Sequence, residues 1–146
     1  NKNPYKNYFA AEIHKGGKKV YYPGFYISIE PGDHSFCGGG LWHPEGDYLK
    51  NVRQEIDYNF EAFRSILEAK KFRSLLGSLE QYDKLTRPPK GYDESNPAIE
   101  FLKLKSFIAD VRLSDEDLIS KDLVKKILNI FTAMKPFVDF LSSAME

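Results

Sequence analysis

The sequence predicts an α+β domain in which helices pack on one face of an antiparallel sheet. Two observations carry this. Through the first 42 residues apolar and polar side chains alternate, and from Pro44 onward apolar residues recur at three-and-four spacing. Strand signals therefore precede helix signals, an order that suits α+β architecture better than alternating strand and helix units.

The elements follow in order. Phe9, Ala11 and Ile13 alternate with Tyr8, Ala10 and Glu12, and Phe25, Ile27 and Ile29 alternate with Tyr26, Ser28 and Glu30, which is the period of half-buried strands. Turns are expected at His14 to Lys19 and at Pro31 to His34, giving a three-stranded meander that ends near Trp42. For the two apolar sets to share a face, the numbers of paired residues must sum to an even value. That requires a connecting loop of odd length or a bulge, for which Pro23-Gly24 is the natural place. The opposite face then carries Tyr8, Glu12, Tyr26, Ser28 and Glu30.

Leu49, Val52, Ile56, Phe60, Phe63 and Leu67 mark an amphipathic helix opened by Pro44 and by the acidic Glu45 and Asp47, with a break expected at Asp57 to Asn59. A short helix over Lys70 to Leu76 ends at Gly77. The segment from Leu79 to Pro97 reads as irregular, Asn96-Pro97 opens a short helix, and Phe107 to Val111 is a fourth strand. Ser114 with Asp117 approaches a capping box. The last helix starts near Lys121 and turns Leu123, Ile127, Phe131, Met134, Val138 and Leu141 inward, with Pro136 expected to kink it or end its first half.

Composition sets the bounds. A chain of 146 residues fits a single domain, 1–146, and can bury roughly 70% of its unfolded surface. Twenty-one Lys and Arg balance 21 Asp and Glu, so no global field favours nucleic acid or an acidic membrane. Apolar runs are too short to span a bilayer. The single Cys37 has no internal disulfide partner, which points to a reducing cytoplasm.

Candidate chemistry lies in a few places. Gly38, Gly39 and Gly40, just before Trp42, signal close approach to the backbone, expected from a crossing helix such as the last one, with Trp42 turned to a site edge. No GxGxxG or Walker pattern accompanies them, and no cofactor is implied. His14 and His43 fall at one end of the meander and His34 at the other, so they do not make a three-histidine metal site. Glu12 and Glu30 are placed to meet on adjacent strands, with Glu30 the candidate acid or base beside Tyr26. Arg87 and Lys90 bracket the stiff Pro88-Pro89, and Lys103 and Lys105 follow. Such a basic loop, folded over the aromatic sheet face, suits a phosphate or carboxylate.

Several ordered stretches, "NKNPYKNYF", "GFYISIEPG", "GGGLWHP", "LTRPPKGYD", "PAIEFLKLKSF" and "KPFVDFL", together resemble a family of bacterial and fungal conserved hypothetical proteins, the domain of unknown function numbered 2461. The resemblance covers essentially the whole chain and implies an α+β fold without implying a reaction. It adds Tyr5, Lys6 and Tyr92 to the positions of interest. It also implies a region upstream of Asn1, making this chain the carboxy-terminal part of a longer protein, with an exposed edge that favours a homodimer.

These readings converge on one expectation. A small anionic ligand, phosphorylated or carboxylate, is bound by Tyr5, Lys6, Tyr26, Glu30, Trp42, Arg87, Lys90, Tyr92, Lys103 and Lys105. The alternative is a non-catalytic protein-protein interaction module centred on Trp42 and the tyrosines.

Overall fold

The computed structural model describes residues 7–15 and 22–146. Four strands, β1 (Phe9–His14), β2 (Gly24–Ile29), β3 (Ser35–Leu41) and β4 (Phe107–Leu113), form one sheet in the order β1-β2-β3-β4, every neighbouring pair antiparallel. Six helices accompany it: α1 (Asp47–Tyr58), α2 (Phe60–Glu68), α3 (Lys70–Leu76), α4 (Ile99–Leu102), α5 (Asp115–Ile119) and α6 (Leu123–Ala144). The fold is the α+β arrangement that the change of period predicts. No helix among the described residues is long and apolar enough to cross a membrane.

Register sorts the sheet into two faces. Phe9 pairs with Ile29 and Ile13 with Phe25, so both apolar sets share a face, as the even-sum rule requires. No bulge is needed at Pro23-Gly24: Gly24 pairs regularly with His14 and with Gly40, and the odd number of residues between the strands sets the parity. Most of the expected first turn, from residue 16 on, lies outside the described residues. The face continues through Cys37, Gly39 and Leu41 of β3 and Phe107, Ala109 and Leu113 of β4, and all of these are buried. Helix α6 covers it: Phe131 packs on Phe25 with ring centroids 4.9 Å apart, and the Met134 methyl sits over Gly39. Below α6, Phe63, Phe72 and Phe137 fill the core between the helices, removing on the order of 2 kcal/mol of apolar surface free energy each from water.

Other boundaries follow local chemistry. The amphipathic run breaks at Asn59, and Gly77 ends α3 with φ of 71°. Ser114 and Asp117 complete a reciprocal capping box on α5. Pro136 neither ends nor divides α6. Buried neighbours on both sides of it, Met134, Phe137 and Val138, hold the helix against the core, and the proline itself is exposed.

The segment that reads as irregular is partly extended. Glu80 donates its N–H to the Ile108 carbonyl at 2.8 Å, Lys105 to Asp83 at 2.8 Å and Leu85 to Lys103 at 2.8 Å, while Lys84 bridges Leu104. Residues 80–85 thus run antiparallel beside the approach to β4. Sharing its pleat, they turn Glu80 and Tyr82 to the side of the sheet away from α6.

Candidate functional site on the bare sheet face

The face opposite α6 carries Glu12 and His14 from β1, Tyr26 and Ser28 from β2, Phe36, Gly38 and Gly40 from β3, and Ile108, Asp110 and Arg112 from β4. In register, Tyr26 pairs with Gly38, and Gly38 pairs with Asp110. Because Gly38 has no side chain, the Tyr26 hydroxyl reaches over β3 and donates to Asp110 Oδ2 at 3.1 Å. A Cβ at Gly38 would stand 2.6 Å from the Asp110 Cβ and 2.2 Å from the Ala109 carbonyl oxygen. At Gly40, φ is 128° and a Cβ would meet the Phe107 carbonyl oxygen. Only Gly39 meets a helix, through Met134, and the Gly24 carbonyl is closer still. The expectation of a crossing helix is therefore corrected: what approaches this glycine run most closely is the backbone of the neighbouring strands.

Two cavities adjoin on this face. One, of about 320 Å³, is lined by Glu12, His14, Tyr22, Tyr26, Trp42 and Ile108, among others. Trp42 is 67% exposed, and the buried Nδ1 of His14 has no hydrogen-bond partner among the described residues. The other, of about 400 Å³, is bounded by Glu30, Phe36, Glu80, Tyr82, Asp110 and Arg112, with His34 at its side. Tyr26 links them, lining the first and bonding to Asp110 in the second.

Electrostatics single out the second cavity. Burial, the negative charge of Asp110 and a hydrogen bond with it hold the Glu80 carboxyl above the usual carboxylate range, against the opposing pull of Arg112. Burial and then Asp110 push the Tyr26 phenol up strongly, and burial, Asp110, Glu80 and Asp83 raise that of Tyr82. Two neutral phenols and a Glu80 carboxyl of raised proton affinity thus surround Asp110. Such an arrangement can donate and accept hydrogen bonds at once.

At the far end of β3 the chain takes a strained turn at His43, whose φ is 42°. The His43 N–H donates to Ser106 Oγ at 2.8 Å, and the imidazole Nδ1 lies 2.8 Å from Asp83 Oδ2. Asp83 also accepts from Ser106 Oγ at 2.6 Å. Burial works to raise the Asp83 pKa, but the bonds from Ser106 and His43, with the charge of Lys105, outweigh it and hold the carboxyl below its ordinary value.

The residues singled out in the sequence fall into separate places. Tyr26 and Glu30 border the second cavity or bond into it, and Trp42 lines the first. Glu12 of β1 faces Tyr26 in the first cavity and does not meet Glu30, which follows β2 beyond the Phe9–Ile29 pair at the other end of the two strands. Glu80 and Asp110 form the carboxyl pair instead. Neither cavity is lined by Arg87, Lys90, Tyr92, Lys103 or Lys105. Lys103 is held by Glu94 at 3.1 Å and Glu100 at 3.6 Å, and Lys105 lies 3.7 Å from Asp83. Tyr92 is half-buried and packs against the helical core. Tyr5 and Lys6 lie outside the described residues. Sequence reasoning missed Glu80, Tyr82 and Asp110. Only alternation along β4 could have turned Asp110 to the bare face.

No curated protein and no solved structure matches the chain. A family model does match, over residues 1–140, and on that extent the chain belongs to the family of conserved hypothetical proteins DUF2461.

Proposed function

We propose that the protein binds a small ligand on the bare face of its sheet, laying an apolar or ring portion against Trp42 and Tyr22 and hydrogen-bond donors against the Asp110 and Glu80 carboxyls. The observation that carries this reading is the Tyr26 to Asp110 hydrogen bond over Gly38, which joins an aromatic cavity to a polar one. Cavities of this size fall at the lower end of small-molecule sites. Three carboxyl groups, Glu30, Glu80 and Asp110, face a single Arg112, so a polyhydroxylated or cationic ligand suits this face better than an anion. The exposure of Trp42 and of Tyr82, at 67% and 65%, favours a protein-contact surface as the second reading.

Trp42 is the sole tryptophan, so its fluorescence reports the site directly. Titration with a panel of amines, sugars and nucleosides is expected to give a saturable change for at least one class, weakened about tenfold in Asp110→Asn, the loss of one charge-assisted hydrogen bond. Silence across the whole panel would favour the protein-contact reading. Binding unaltered by Asp110→Asn would move the site away from the carboxyl pair.

A further inference from the structure

One level of the sheet carries no side chain across its middle. In register, His14 pairs with Gly24, Gly24 with Gly40 and Gly40 with Ile108, so a single row crosses all four strands with glycine at both central positions. All four residues line the aromatic cavity of about 320 Å³. Neighbouring strands lie about 4.8 Å apart, so roughly 14 Å separates the Cα atoms of His14 and Ile108, and between them the cavity floor is bare backbone. Such a floor suits a flat ring system, which can lie against peptide planes that side chains would otherwise cover.

The rim supplies aromatic and polar contacts. Tyr22 and Trp42 line the same cavity and offer ring faces. Glu12, two residues before His14 on β1 and on the same face, lines it as well. Glu12 is exposed and, among the described residues, makes no ion pair and no hydrogen bond, so both carboxylate oxygens are open to a ligand. The row beside the glycines runs from Glu12 through Tyr26 and Gly38 to Asp110. A ligand on the glycine floor therefore has Glu12 at one end and the Asp110 and Glu80 carboxyls of the second cavity at the other.

We infer that the ring is a guanine-type base and that the ligand is its unphosphorylated nucleoside, an assignment that rests on the proposed function of this face. The ring N–H and neighbouring amino group of such a base match the two oxygens of the Glu12 carboxylate. Adenine presents an acceptor nitrogen at that edge and does not match it. Ribose hydroxyls then donate to Asp110 and Glu80. A phosphate would meet Glu30, Glu80 and Asp110 with only Arg112 to offset them, which favours a nucleoside over a nucleotide.

The test is a ¹⁵N NMR titration of the chain, following the indole N–H of its sole tryptophan, Trp42, with guanosine, adenosine, guanosine monophosphate and methyl riboside. Guanosine is expected to shift this signal saturably and to bind about tenfold tighter than adenosine, with the monophosphate weaker than guanosine. Glu12→Gln, a change at an exposed position, is expected to weaken guanosine about tenfold and to erase most of its advantage over adenosine. Guanosine no tighter than adenosine, or unaltered by Glu12→Gln, would overturn the base assignment, and a monophosphate as tight as guanosine would overturn the nucleoside. Methyl riboside binding that is lost in Asp110→Asn, with no response to either nucleoside, would sink this inference and leave the proposed function of the face standing. Silence from all four compounds and from the wider panel would remove both.

Discussion

Tyr26 and Asp110 sit on strands that are not neighbours, yet they are hydrogen-bonded, because the strand between them presents only Gly38 at that level. A missing side chain is what brings the phenol and the carboxylate together. Glu80 joins the same carboxylate from the extended segment beside β4.

Gly38→Ala should therefore damage both stability and site. Its Cβ would lie 2.2 Å from the Ala109 oxygen, and backbone cannot yield as a flexible side chain would, so a loss of about 2–4 kcal/mol is expected in urea unfolding. Gly77→Ala has open space around it, but φ of 71° with ψ of −116° is backbone that L-residues rarely adopt, so about 1–3 kcal/mol is expected there from strain alone. A Gly38→Ala cost below about 1 kcal/mol would refute the close-approach account.

The raised pKa of Glu80 sets the sign of one pH dependence. A carboxyl that binds its proton more tightly in the folded state than in the unfolded one contributes stability at low pH, and that contribution is lost as pH rises from the ordinary glutamate value through the raised one. Glu80→Gln, which cannot ionise, should flatten the melting-temperature profile over that window and leave neutral-pH stability equal to or above that of the native protein. A profile indistinguishable from wild type would remove the raised Glu80 pKa from the account.

Asp83 behaves in the opposite sense. Its lowered pKa contributes stability above the ordinary aspartate value, which is lost as pH falls through the folded one. Asp83→Asn should cost about 1–2 kcal/mol at neutral pH, with the gap to wild type closing in acid, because the charge-assisted bonds to His43 and Ser106 are the ones removed. Chemical denaturation at pH 7 and pH 3 measures it. A gap of the same size at both values would mean that shape, not charge, is what Asp83 supplies.

Cys37 is fully buried in the face under α6, and burial pushes its thiol up to about 11. In the native state it should resist an aromatic disulfide reagent for as long as the protein stays folded and react at once in denaturant. Rapid labelling without denaturant would show that the core at β3 opens readily.

Local pattern made the sheet legible. The alternation of Phe9, Ala11 and Ile13 with Phe25, Ile27 and Ile29 fixed both the shared face and the parity of the pairing, and the break at Asn59 and the stop at Gly77 came from residue chemistry alone. The site was less legible, because it depends on contacts far apart in the chain. Nothing in the residues around Glu80 alternates, so its alignment with Ile108 was invisible, and with it the carboxyl pair. Lys103 and Lys105 advertised a positive surface, but Glu94, Glu100 and Asp83 consume that charge.

Among the described residues strand β1 pairs only with β2, and α6 reaches across β3 and β2, leaving Phe9 and Ile13 of the apolar face 64% and 57% exposed. The sheet is thus anchored unevenly. Hydrogen exchange should be graded across it, with β1 amides released by a partial opening that leaves the rest intact and β3 and β4 amides only by global unfolding. Since β1 supplies Glu12 and His14 to the aromatic cavity, that cavity can lose one wall while its floor stays folded.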